Sequence, residues 1–171
     1  MSLQNLRGDA TDPIGDGPRI IAHCCNDIGG WGRGFVVALS RRWEAPERRY
    51  REWYLNGQSY EVFRLQETSG VPVQFKLGAV QFVEVGENLF VANIIGQHGV
   101  THQDGRPPIR YPAIQRGLQR VKEFAEEIEA SVHMPRMGAG LAGGAWASIE
   151  DIVLKCLANR GIEVFVYDLI E

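Results

Sequence analysis

At 171 residues, with 44% hydrophobic and 23% charged side chains, the chain has the make-up of a single domain, residues 1–171, able to bury a core unaided. The 18 Lys and Arg against 21 Asp and Glu leave a net charge of -3, which gives no basic footprint for duplex nucleic acid. No apolar run approaches the ~18 to 20 residues of a membrane span, the start shows no leader pattern, and the three cysteines are odd in number; a cytoplasmic protein with reduced thiols and no membrane partner is expected.

Arg19 to Cys25 is almost wholly apolar, the pattern of a strand in a sheet covered on both faces, with Cys24 and Cys25 as small buried hydrophobes. A glycine cluster, Gly29-Gly30-Trp31-Gly32-Arg33-Gly34, follows it directly. Phe35, Val36, Leu39 and Trp43 then recur at helical spacing, and Pro46 opens a second helix on which Tyr50, Trp53 and Tyr54 share a face. Between Val73 and Ile95 the pattern turns to β: Ala79–Val85 and Leu89–Ile95 flank the turn Gly86-Glu87-Asn88. Gly96–Pro108 has no periodicity and reads as a long loop of the kind that carries function. A helix is predicted over about Tyr111–Ala130 and a strand over Ser131–Met137, followed by the second glycine cluster, Gly138 to Gly144. A helix over Ala147–Asn159 and a strand over Ile162–Leu169 complete the chain. Strands alternating with helices around one hairpin predict a three-layer α/β/α sandwich with a mixed central sheet.

Both glycine clusters lie between a strand and a helix. Such a loop aims unpaired N–H groups and the positive end of a helix dipole at one point, which suits an anion, and glycine lets the backbone approach it closely. Two loops of this kind suggest a diphosphate held from both sides. Gly138-x-Gly140-x-x-Gly143 matches the dinucleotide fingerprint but falls near the end of the chain, where the further βα units of a nicotinamide-binding fold have no room. The first cluster lacks the Gly-Lys-Ser/Thr ending of a P-loop.

Taken in order, Gly8-Asp9-Ala10-Thr11, Ile21-Ala22-His23-Cys24-Cys25-Asn26 leading into Gly30–Gly34, Met134-Pro135-Arg136-Met137-Gly138-Ala139-Gly140-Leu141, and Val166-Tyr167-Asp168-Leu169 resemble the macro domain over nearly the whole chain. The closest likeness is to its branch of ADP-ribose-1″-phosphate phosphatases and small ADP-ribosyl hydrolases. The resemblance implies ADP-ribose, or a derivative carried on a macromolecule, as partner. It places Asp9 and Ala10 at the adenine, with Tyr167 as the flanking aromatic. Gly30, Trp31, Gly32, Arg33 and Gly34 then lie over the distal ribose and diphosphate, facing Met137, Gly138, Ala139, Gly140 and Leu141. Read without it, Asp9 is a turn residue, Tyr167 core, Arg33 an exposed loop residue and Trp31 a side chain packed on the following helix.

Some relatives use a nucleophilic Lys and an Asp after the second loop; the matching places hold Gly96 or Gln97, and Ala142. Candidates for chemistry are therefore His98, Asn26 and His23, with His98 as the proton-transfer group and Asn26 orienting ribose or water. His23 within an apolar strand reads more often as a core histidine, and His133 as structural. No cofactor is called for, and no metal, since His98 and His102 lack a third ligand nearby. Hydrolysis of the 1″-phosphate is the first reading, a non-catalytic ADP-ribose reader the alternative.

Overall fold

The computed structural model describes residues 2–60, 72–140 and 142–169. Strands β1 (Leu3–Arg7), β2 (Arg19–Asn26), β5 (Val80–Gly86), β6 (Leu89–Gln97), β7 (Ser131–Pro135) and β8 (Val164–Asp168) form one sheet in the order β1-β8-β7-β2-β6-β5. Every pairing is parallel except β5 with β6, so the sheet is mixed. The two-residue strands β3 (Gln58–Ser59) and β4 (Val73–Gln74) pair separately.

Alternate residues of β2 serve two cores, which is why the strand has almost no polar side chain. Ile20 and Ala22 face α3 (Tyr111–Ile128) and α4 (Trp146–Cys156), while Ile21 and Cys25 face α1 (Phe35–Arg42) and α2 (Ala45–Asn56). The result is the predicted three layers. On α3 the buried residues Ala113, Ile114, Gly117, Leu118, Val121, Phe124 and Ala125 recur every three or four positions. Gly117 sets how close this helix comes: a Cβ there would lie 2.4 Å from Ile94 Cγ2.

The other interface is partly polar. Asn93 and Gln81 are fully buried, yet their amides reach α2: Asn93 Nδ2 donates to Pro46 O (3.2 Å) and Gln81 Oε1 (3.1 Å), and Gln81 Nε2 to Arg49 O and Ser59 Oγ (both 3.0 Å). This leaves Asn93 Oδ1 as an acceptor for His23 Nε2, so the amides of this buried network are satisfied.

Several boundaries differ from expectation. β1 has no alternating signal; parallel pairing with β8 creates it. β6 runs two residues past Ile95 because β2 pairs with it as far as Asn26↔Gln97. β7 stops at Pro135, and α4 stops at Cys156, with Ala158–Arg160 forming a separate 3-10 turn.

His23 and His133 are both buried, and burial holds each down at about 4, with Arg19 adding to the effect at His133. Both are neutral in the fold and protonate on unfolding, where the ordinary value is near 6.5. Their contribution is thus complete above about pH 6.5 and is lost as pH falls toward 4. Unfolding at pH 5.5 is expected to take up about one proton less in His133→Gln than in the wild type, a slope difference of about 1.4 kcal/mol per pH unit. Calorimetric melts in buffers of different ionisation enthalpy measure the uptake; equal uptake in the two proteins would show that His133 is charged in the fold.

Candidate functional site

The chain leaves the adjacent strands β2 and β7 toward opposite faces, β2 into α1 and β7 into α4. Where such connections diverge, a crevice opens outside the carboxyl ends of the strands. Two adjoining cavities occupy it. One, of about 410 Å³, lies between the first glycine loop and Gln97, Val100 and Thr101. The second, of about 240 Å³, lies between Gly34–Val36 and Pro135–Gly140. Cys24, Arg33, Val36 and Gln97 line both.

Asn26 builds the first loop. Its Oδ1 accepts the N–H groups of Ile28 (3.0 Å) and Gly30 (2.9 Å), its Nδ2 donates to Gly30 O (2.9 Å), and Tyr50 Oη donates to its carbonyl (2.6 Å). A Cβ on Gly30 would sit 2.9 Å from Asn26 Nδ2, so only glycine fits under that clamp. Among the described residues the N–H groups of Gly32, Arg33 and Gly34 have no partner. Opposite, the bonds Gly143 N–Gly140 O (3.0 Å) and Gly144 N–Gly138 O (2.8 Å) close the second loop, and the N–H groups of Gly138 and Gly140 are likewise unpartnered among the described residues. Open donors on two facing walls, with Arg33 between them, favour an extended anion.

Gly30, Trp31, Gly32 and Arg33 line the larger cavity; Arg33, Gly34, Met137, Gly138 and Gly140 line the smaller. Ala139 packs toward the core beside them, and Leu141 lies outside the described residues. Trp31 lines the cavity, and its Nε1 donates to Ser40 Oγ of α1 (2.8 Å), which packs it on the following helix.

Other side chains are placed differently from their expected roles. Asn26, 8% exposed, lines the larger cavity and also organises the loop, since its oxygen accepts the N–H groups of Ile28 and Gly30. His23 lies at the cavity floor but gives Nε2 to Asn93 and is held neutral by burial. Tyr167 is 5% exposed; its hydroxyl meets His133 Nδ1 (2.7 Å) and Ile14 N (3.1 Å), clamping the segment after Asp9 against the sheet. The aromatic that lines the cavity at this end is Phe35, which also packs against Ala10 and Tyr167. Asp9 is 42% exposed in its side chain, with Oδ1 taken by Thr11 N and Oγ1 (2.8 and 2.7 Å) and Oδ2 near Arg42 (3.3 Å). Burial tends to raise its carboxyl, but these donors outweigh it and hold the group below the usual carboxylate value.

The residue missed in the sequence is Asp27. Its Oδ2 lies 2.7 Å from His98 Nδ1 and its Oδ1 accepts Gly99 N–H at 2.8 Å. Each of the two residues directly follows the end of one of two paired parallel strands, so register alone brings them together. Among the described residues that line these two cavities there is no Lys, Asp or Glu. Among the described residues no three His, Cys, Asp or Glu side chains gather as metal ligands would, and no helix is long and apolar enough to cross a membrane.

A carboxyl-end cleft between two glycine loops in an α/β/α sandwich suits a phosphate-bearing ligand. The chain is 48% identical to a macrodomain protein from Streptomyces coelicolor, covering 98% of this chain and 99% of that one at a TM-score of 0.79. It is 49% identical to a Bacteroides thetaiotaomicron protein of unknown function, over 99% of both chains at a TM-score of 0.87. It belongs to the macrodomain family. No family model matches it. It is also 30% identical, over 168 residues and 97% of its length, to the Chromodomain-helicase-DNA-binding protein 1-like of Mus musculus, of which it spans only 18%. An ADP-ribose 1″-phosphate phosphatase from Debaryomyces hansenii is 26% identical over 87% of this chain and 88% of that protein.

Proposed function

We propose that the cleft binds ADP-ribose and that the protein hydrolyses the phosphate from ADP-ribose-1″-phosphate. The observation that carries the binding is the pair of facing loops whose unpartnered N–H groups flank Arg33. The diphosphate sits between them, the adenine extends past Phe35 toward Asp9, and the distal ribose with its substituent enters the larger cavity. The relation to the Debaryomyces hansenii phosphatase supports the choice of substituent, as does Arg33, the single cation among the residues lining that cavity. His98, just beyond the cavity wall formed by Gln97 and Val100, is the proton-transfer group.

Calorimetry with ADP-ribose, AMP and NAD tests the binding, and phosphate release from the 1″-phosphate tests the chemistry. Tight binding of ADP-ribose over the other two is expected, with phosphate produced. Binding without product from this or from acylated, protein-linked or nucleic-acid-linked ADP-ribose selects the reader alternative, which the lack of any Lys or carboxylate among the lining residues favours.

Asp9→Ala is expected to weaken ADP-ribose binding by ~1.5 to 3 kcal/mol, the worth of a hydrogen bond from the adenine amino group to a charged acceptor. Titration of the variant measures it, and an unchanged affinity would leave Asp9 as the acceptor of its own turn, bonded to Thr11.

A further inference from the structure

We infer that Asp27 is a positioning residue that sets the tautomer of His98 for the hydrolysis proposed above, on which this inference rests. A carboxylate can only accept hydrogen bonds, so Asp27 Oδ2 at 2.7 Å requires a proton on His98 Nδ1, which in the neutral ring leaves the lone pair on Nε2. The rest of the geometry fixes the ring. His98 N–H donates to Pro108 O (2.8 Å), Gly99 N–H to Asp27 Oδ1 (2.8 Å), and Gln97 Nε2 to Gly99 O (3.0 Å). Asp27 is 17% exposed and His98 48%, so the carboxylate is sheltered behind a half-exposed imidazole. Among the described residues the ring's hydrogen bonds go to Asp27 alone.

The step balances without oxidant, reductant or metal. A water oxygen attacks the phosphorus of the 1″-phosphomonoester while His98 Nε2 takes one of its protons. The P–O1″ bond breaks with its electron pair going to O1″, and the imidazolium returns the proton to that oxygen, giving inorganic phosphate and ADP-ribose. Asp27 steadies the imidazolium between the two transfers and is not itself protonated.

Asp27→Asn isolates this role. The asparagine oxygen can still accept Gly99 N–H, but its amide donates to His98 Nδ1 and moves the ring proton to Nε2, where it removes the lone pair. Single-turnover phosphate release is expected to fall 10²- to 10⁴-fold, with ADP-ribose affinity within about threefold of wild type. Nitrogen NMR of labelled imidazole reads the tautomer directly: the proton is expected on Nδ1 in the wild type and on Nε2 in Asp27→Asn. The wild-type spectrum serves alone should the variant fail to fold, and a wild-type ring protonated on Nε2 overturns the inference. An active wild type with an equally active Asp27→Asn overturns it too, while leaving the hydrolysis standing. A wild type that binds ADP-ribose and releases no phosphate removes the hydrolysis itself, and the role of Asp27 with it.

Discussion

Gly140→Glu is expected to abolish ADP-ribose binding while leaving the fold unchanged. A Cβ at Gly140 would meet nothing within 4 Å, and the residue has no positive φ, so the substitution carries no steric or backbone penalty. Its carbonyl keeps the bond from Gly143 N–H that shapes the loop. What changes is the cleft, where a carboxylate now stands beside the proposed diphosphate. Like charges juxtaposed in a binding site cost several kcal/mol, so affinity should drop by at least roughly 100-fold. Thermal melts give the control, because ligand that binds only the native state raises the melting temperature by mass action. The variant should melt where wild type does without ligand and show no rise with it. A preserved rise would mean that the second loop does not hold phosphate.

His98→Ala is the second large expected effect, and it falls on rate rather than affinity. Turnover of ADP-ribose-1″-phosphate should decrease by roughly 10²- to 10⁴-fold, the usual contribution of a general acid or base. The side chain is half exposed and packs into neither core, so the fold should survive its loss at a cost of about 1 to 3 kcal/mol for leaving Asp27 Oδ2 without its donor. Single-turnover phosphate release, with ADP-ribose binding measured on the same preparations, separates the two. A fully active His98→Ala would move proton transfer to another group.

Much of the frame was legible because the sheet is buried on both faces. A parallel strand between two helical layers must be apolar at every position, and Arg19–Cys25 announces that without knowledge of its partners. The amphipathic spacing of α3 is equally explicit, since one face meets the sheet and the other meets solvent. The glycine clusters were readable for the same reason: loops that present bare backbone require residues without side chains. β1 was not readable, because Leu3–Arg7 owes its conformation to pairing with β8, more than 150 residues away in the chain.

The site divides along the same line. Sequence pointed to the backbone that lines the cleft, at Gly30, Gly32, Gly34, Gly138 and Gly140. Tertiary structure decided what the polar side chains do. Asn26 and Tyr167 carry the right residue types at the right places for ligand contact, yet the fold uses Asn26 to shape a loop and Tyr167 to clamp one. Asp27 shows no pattern of its own beside Asn26, and only the register of β2 on β6 sets it against His98. For Tyr167 and Asp27 the physical reason is the same. Hydrophobic periodicity and glycine act within a segment and leave their mark there, whereas a hydrogen bond between residues 71 positions apart depends on where two strands end in space.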